Sequence, residues 1–337
     1  MTTLTTAATV TIDRLRYTVQ IRSVTAELAL LPGVNRGDVL IAAGVDVEAT
    51  PGVDATIELD GGAGAATVIT GSVEHVDRRT GGTLVSITDG GAALARKRPS
   101  ETYNGMPAMQ IIRQLAQLAD VGTGLITATL QTAAYVADAR RTAAQHVVAL
   151  ADHSGAVAAI DGDGRLTVLP WPMGQPTVAM RRDREFTSLT ASSHRAQHEF
   201  ALVGAGGSGV ALAPDAWVVN ADAVTNADDP SPGRSWWPDP VMRTQTDVDL
   251  GNKSATARRA SATRRLCAEC WLQPARRPGD VVQIQETEHP EHEGPWLITT
   301  VRHELRWDRG STALLGVSGG DTSGLLGDLT GAIGGLL

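Results

Sequence analysis

GSVEHVDRRTGGTLVSITDGG, residues 71–91 of a 337-residue chain, reads as a β-hairpin: a V-x-H strand turns into a second strand that ends Gly-Gly. A second stretch, TTVRHELRWDRGSTALLGVSGG at 299–320, follows the same plan. Val73 and His75 align with Val301 and His303, and Gly82 with Gly310. One inserted residue later, Gly90 and Gly91 align with Gly319 and Gly320. Upstream, RGDVLIAAG (36–44) matches PGDVVQIQE (278–286). Each half thus reads as a Gly-Asp-Val strand, a loop, and a V-x-H hairpin. This predicts an internal duplication of a β-domain; the alternative is two unrelated hairpins that share turn chemistry. Two copies separated by well over 100 residues do not make a solenoid. They predict two barrels or sandwiches with an α/β segment between them.

The flanking sequence fits that outline. Residues 1–95 hold short β-rich runs (YTVQIRS, DVLIAAGVDV, ATIEL, ATVITGSVEHV) punctuated by Gly, Pro and Asp. The character changes over 100–170. MPAMQIIRQLAQLADVG carries Ile111, Ile112, Leu115, Leu118 and Ala119 at helical spacing, with Pro107 near its start and Gly122 past its end. RTAAQHVVALADHSG has Thr142 and Gln145 at capping-box spacing and Gly155 to close it. The expected fold is mainly β with a smaller α+β part. Its divisions are a first tube-like barrel at 1–98, an α+β domain of two helices and a hairpin at 99–172, and a second barrel at 173–320. Within the second barrel, a long Pro- and Asp-rich loop is expected at 223–245, with Trp236 and Trp237, and a helix at about 253–265. Residues 321–337 form a Gly-rich apolar tail.

Charge excludes one class of function. The net charge of −8 is spread along the chain and no basic stripe exists, so tight nucleic-acid binding is not expected. An acidic surface repels nucleic acid, which suits a conduit. There is neither an 18-residue apolar run nor a charged-then-apolar leader, so synthesis in the cytoplasm without a membrane span is expected.

Several stretches imitate chemistry. AIDGDGRLTVLP (159–170) places Asp161 and Asp163 like a calcium loop, but Arg165, Leu166 and Pro172 stand where a ligand, a glycine and a glutamate belong. Asp-Gly supplies the positive φ of a tight hairpin turn, and that reading uses every residue. GAGGSG (204–209) matches G-x-G-x-x-G, but VALAPDAWVV follows it in place of a helix. ETEHPEHEG (286–294) gathers His289 and His292, and Pro290 breaks any helix that would align them, so it reads as a solvated loop. Cys267 and Cys270 form a lone CxxC on a strand-like run that points the thiols to opposite faces. No nucleophile elbow, zinc-protease or P-loop motif appears, so no catalytic residue, cofactor or metal is assigned.

In GLLGDLTGAIGGLL, Leu325, Leu329, Ile333 and Leu337 recur every four residues, flanked by Leu326 and Leu336. That makes one apolar face if helical. The five glycines cost ~1 kcal/mol each in a helix, so folding against a partner or threefold self-packing competes with a floppy end.

Taken in order, RGDVLIAAG, GSVEHVD, ETYNGMPAMQIIRQLA, YVADARRTAAQHVVALADHSGAVAAIDGDGRLTV and PGDVVQIQ…GPWLITTVRHEL resemble the phage late control protein D family of tail hub proteins. The N-terminal part of valine-glycine repeat protein G is related. The resemblance covers roughly 35–320, and order carries it more than any single motif. It implies a homotrimer whose paired barrels make a ring of six. That ring would join a hexameric tail tube to a trimeric spike within a phage tail or contractile injection system baseplate. The partners implied are the tail tube protein, a separate spike protein and other baseplate proteins. Assembly would be into a virion tail or injection particle, with DNA or cargo passing through the lumen. The chain stops without a long β-helical spike, so the tail residues Leu325, Leu326, Leu329, Ile333, Leu336 and Leu337 become the candidate spike or plug contact. Outside the family, a cell-wall or polysaccharide hydrolase with two β-domains is the second expectation. A cell-surface adhesin is a third, disfavoured by the missing signal peptide.

Overall fold

The computed structural model describes residues 6–171, 178–182, 184–194, 200–204, 218–219, 235–239 and 241–319. The first unit runs β1 (Ala7–Ile12), β2 (Leu15–Tyr17), β3 (Ile21–Ala29), β4 (Arg36–Ala42), β5 (Asp54–Asp60), β6 (Ala65–Arg79) and β7 (Gly82–Asp89). A middle segment follows: α1 (Gly90–Arg96), β8 (Glu101–Pro107), α2 (Ala108–Leu118), β9 (Thr123–Ile126), β10 (Gln131–Ala137), α3 (Ala143–His153), β11 (Ala156–Ile160) and β12 (Leu166–Pro170). The second unit holds β13 (Val178–Arg181), β14 (Phe186–Ser193), β15 (Phe200–Gly204), β16 (Val218–Val219), β17 (Ser235–Asp239), α4 (Gln245–Ala262), β18 (Arg264–Trp271), β19 (Val281–Gln285), β20 (Gly294–Arg306) and β21 (Gly310–Ser318). The fold is mainly β with a smaller α+β part.

The strands alternate because one face is wet. In β3, Val24, Ala26 and Leu28 are fully buried, while the residues between them are more accessible. Burying each such Val or Leu stabilises the fold by ~1.5–3 kcal/mol.

The two units share one topology. In the first, β3, β4, β7, β6 and β5 lie side by side, all antiparallel. In the second, the order is β14, β18, β21, β20 and β19, again all antiparallel. The irregularity in the first strand of each unit coincides as well. β3 bulges between Ile21 and Ser23, and β14 between Phe186 and Ser188. After those bulges, Ser23-Val24-Thr25-Ala26 stands opposite Ser188-Leu189-Thr190-Ala191 in the comparison of the two units.

The register corrects the alignment read from sequence. β6 bulges between Val73 and His75, whereas β20 bulges between Ile298 and Thr300. Matching the bulges sets Val76 against Val301, three residues from the V-x-H alignment. The parity differs as a result: His75 is exposed and His303 fully buried. The Gly-Asp-Val match also joins unlike strands. β4 holds the place of β18, while β19 holds the place of β5, with Ile57 and Ile284 at one position.

The halves do not form two separate closed barrels. One 13-stranded sheet passes through both, because β20 also pairs with β3. β20 is 13 residues long, and its bulge divides it: the first part pairs β19, and the part from Thr300 pairs β3. A single apolar core accordingly draws residues from Val10 to Leu314.

The middle segment has its own core. α2 buries Ile111, Ile112 and Leu115, and Leu118 at its end is 37% exposed instead of joining that face. α3 begins with the expected capping box, Thr142 Oγ1 accepting from Gln145 N and Gln145 Oε1 from Thr142 N. Gly155, at φ 63°, follows its end. The short helix α1 falls in a region read as strand; Asp89 caps it by accepting from Gly91 N at 2.9 Å. In the second unit the helix expected at about 253–265 is α4, starting at Gln245 behind Thr244, whose Oγ1 accepts from Asp247 N. Arg264 and Arg265 already belong to β18. The loop expected at 223–245 lies largely outside the described residues; within it, Ser235–Asp239 is a strand, drawn in by parallel pairing with β15.

Candidate functional site

The chemistry-like stretches resolve into structure. Asp161–Gly164 is the turn between β11 and β12. Asp161 Oδ1 accepts from Asp163 N at 3.0 Å and Arg165 N at 2.9 Å, and the Arg165 guanidinium pairs with both aspartates. The oxygens a cation would need are already engaged by the turn and by an arginine. Cys267 is exposed and Cys270 buried, both as free thiols. Burial pushes the Cys270 thiol up to about 12, and its Sγ donates to the Thr312 carbonyl at 3.2 Å. Pro290–His292 is a 3-10 turn, and the His292 carbonyl accepts from Trp296 Nε1 at 2.8 Å. Of GAGGSG, only Gly204 is described, at the end of β15. Among the described residues, no group of three or more His, Cys, Asp or Glu could hold a metal ion. No helix of the described residues is long and apolar enough to cross a membrane. Residues Leu325, Leu326, Leu329, Ile333, Leu336 and Leu337 lie outside the described residues.

Buried polar groups brace junctions. His303 Nδ1 lies 2.9 Å from Thr312 Oγ1, and that oxygen also accepts from Gln273 N at 2.9 Å. Burial pushes His303 down to about 3, so the ring is neutral near pH ~7. Tyr135 Oη and the Asp138 carbonyl occupy the two nitrogens of His146, at 2.8 and 3.0 Å. Asp89 accepts from Asn35 Nδ2 at 2.6 Å, and burial raises its carboxyl to about 6. This fixes the β3–β4 turn to the start of α1.

A three-way joint holds the middle segment against both units. Thr70 Oγ1 on β6 donates to the Gly162 carbonyl of the β11–β12 turn at 2.7 Å. Arg277, from the β18–β19 loop, donates to the Val68 carbonyl at 3.0 Å and to the Thr67 carbonyl. Val68 is the residue that the β5–β6 register skips, between Ile69 opposite Ile57 and Thr67 opposite Glu58.

The internal seam is the largest joint. β3 and β20 pair from Thr300 with Ala29 to Arg306 with Ser23. Val24, Ala26, Leu28, Val301 and His303 are fully buried along it. On the outer face, Glu27 and Arg302 stand opposite each other, 3.3 Å apart. Exposed at about half their surface, they contribute ~1 kcal/mol at most.

Among the described residues, the large sheet has several one-sided strands: β2 pairs only with β1 and β13 only with β19, and two further edges lie in the duplicated strands. β14 pairs only with β18. β6 pairs with β5 only as far as Ser72, leaving His75–Arg79 without a strand on that side. Leu189, Ala191 and Val76 are only partly buried there. Their counterparts Val24, Ala26 and Val301 are fully buried. Sequence reasoning named neither edge; the sign it held was the Ser-Val-Thr-Ala and Ser-Leu-Thr-Ala echo.

No family model matches the sequence. No curated protein matches it either. Solved structures do. The 43 kDa tail protein of prophage MuSo2 from Shewanella oneidensis superposes with a TM-score of 0.68 at 12% identity, over 94% of this chain and 99% of that one. A tail protein from Neisseria meningitidis gives 0.70 at 14% identity, over 93% and 96%. The E. coli c3393 protein gives 0.61 at 12% identity, over 92% and 76%. It is a component of the type VI secretion system with structural similarity to the T4 phage tail proteins gp27 and gp5. At these identities the likeness establishes a shared fold.

Proposed function

We propose that this chain is the structural hub of a phage tail or contractile injection system baseplate. Three copies form a pseudo-sixfold ring that joins a hexameric tail tube to a trimeric spike. The supporting observation is the repeated order of five strands, fused through β3 and β20 into one sheet. A chain with two like units lets a threefold assembly offer six similar surfaces to a sixfold tube. The solved structures that share this fold are tail and secretion-system proteins.

The work is done by assembly, without catalysis and without a cofactor. Titratable groups inside the core serve as braces: both nitrogens of His146 are engaged, and His303 is buried and neutral. The other face of the ring meets a separate spike protein, and the apolar tail from Leu325 to Leu337 touches that spike or plugs the lumen. The net charge of −8 favours a channel wall that does not retain DNA.

Negative-stain imaging of the purified chain tests the ring. Class averages with six lobes on one face support it, and compact particles without a central opening overturn it. A deletion of residues 321–337 tests the tail: lost spike binding with the ring intact is expected, and unchanged binding removes that assignment.

A further inference from the structure

We infer that Asn104–Gly105 in β8 is a site of spontaneous covalent modification: the backbone nitrogen of Gly105 displaces the side-chain amide of Asn104 and leaves aspartate or isoaspartate in the strand. The inference stands apart from the hub reading and needs no partner. The chain holds five asparagines, and only Asn104 precedes a glycine. A glycine there has no side chain to crowd the approach of its nitrogen to the neighbouring amide carbon.

The structure leaves this pair open. Asn104 and Gly105 are both exposed, between buried Tyr103 and half-buried Met106. Gly105 stands at φ 60°, in the left-handed region, and a Cβ placed on it would meet no atom within 4 Å. Among the described residues β8 pairs with β10 alone. Their register is constant from Glu101 with Ala137 to Pro107 with Gln131, and the one pair missing from it is Gly105 with Ala133. The ladder that would hold this peptide unit in one conformation is interrupted at the reacting residue. A two-stranded sheet is marginal by itself, so the local opening that the reaction requires costs little.

Two other asparagines show the contrast. Asn35 is buried, its Nδ2 donates to Asp89 at 2.6 Å, and its Oδ1 accepts from Ala29 N at 2.8 Å. Arg36 follows it. Asn252 lies inside α4 ahead of Lys253, where the helix fixes the backbone on both sides.

The chemistry balances with water alone. The Gly105 nitrogen gives its proton to solvent hydroxide and bonds to Asn104 Cγ. The Cγ–Nδ2 bond breaks, and ammonia leaves with a proton taken back from water. A second water opens the cyclic imide at either carbonyl. One opening gives aspartate; the other gives isoaspartate, whose main chain runs through the β-carbon and is longer by a methylene. Both products add a negative charge. Proton loss comes first, so the rate rises with pH.

The longer main chain falls between fixed points. Tyr103 and Ala108 are buried in the core of the middle segment. Thr132 Oγ1 donates to the Met106 carbonyl at 2.6 Å, and Ala108 N donates to the Leu130 carbonyl at 2.9 Å. An extra methylene between Tyr103 and these contacts cannot keep all of them, so the isoaspartyl form loosens the entry to α2.

The test ages the full chain in mildly alkaline buffer and follows each asparagine by peptide mass spectrometry, with released ammonia measured in parallel. Conversion at Asn104 at least ~10-fold faster than at Asn35 and Asn252 is expected. A rate at Asn104 no greater than at Asn252 overturns the inference. The same chain in urea gives the rate without a fold, and a folded rate more than ~100-fold below it overturns the inference too, because β8 would then protect the pair. Asn104→Gln keeps an amide and should age with an unchanged unfolding midpoint, while the midpoint of the parent falls. Freshly prepared Asn104→Asp carries the added charge on an ordinary main chain and should unfold with the unaged parent. Equal ageing of the parent and the Gln variant contradicts the loosening of α2.

Discussion

His303 and Thr312 face each other across the β20–β21 hairpin, with Nδ1 2.9 Å from Oγ1 in the interior of the sheet. Burial lowers the His303 pKa from 6.5 to about 3. The unfolded chain takes up this proton between those values and the folded chain does not. The contribution to stability is therefore full above about pH 6.5 and is lost as pH falls toward about 3. A His303→Asn variant should lose ~3 kcal/mol less than the parent between about pH 7 and about pH 4, by denaturant unfolding. Equal losses in the two proteins would contradict the neutral, desolvated ring.

Asp89 gives the opposite sign. Its carboxyl is raised from 3.8 to about 6, chiefly by burial. Its contribution is full below about pH 3.8 and declines as pH rises through about 6. Asp89→Asn should remove that decline, giving a stability profile that rises more steeply from acid to neutral than the parent's. Unfolding midpoints across that window check it, and a profile parallel to the parent's would sink it.

Arg277 reaches from the second unit to the Val68 and Thr67 carbonyls of β6. Arg277→Ala leaves those acceptors without their cation and should cost ~2–3 kcal/mol. Arg277→Lys keeps the charge, loses the forked geometry, and should cost about half as much. Chemical denaturation of both variants reads the difference. An Ala variant as stable as the parent would mean that this joint carries little.

The β11–β12 turn should ignore calcium. Asp161 already accepts from Asp163 N and Arg165 N, and Arg165 occupies the outer side. Thermal unfolding should give one midpoint in millimolar calcium and in chelator. Asp161→Ala should cost ~1 kcal/mol through loss of the turn contacts. A midpoint that rises with calcium would show a site there.

Local patterns exposed part of this architecture. The β6–β7 and β20–β21 hairpins, α2, the capped α3 and the Asp161–Gly164 turn follow from spacing and turn chemistry within a few residues. α1 was hidden because its seven residues, GGAALAR, give too short a period, although Asp89 before them is a helix cap. The register between the copies was hidden by bulges. Val73-x-His75 contains one and Val301-x-His303 does not, so like letters face unlike ways. The fusion of the halves was hidden for a different reason. β3 and β20 are far apart in the chain, and no local pattern records which distant edge a strand will find.

The central claim is that three of these chains make the functional unit, and the mass of the purified full chain in solution tests it most directly. Light scattering should give about three times the 35.2 kDa of one chain, stable on dilution. A particle of one chain's mass at every concentration would contradict the hub.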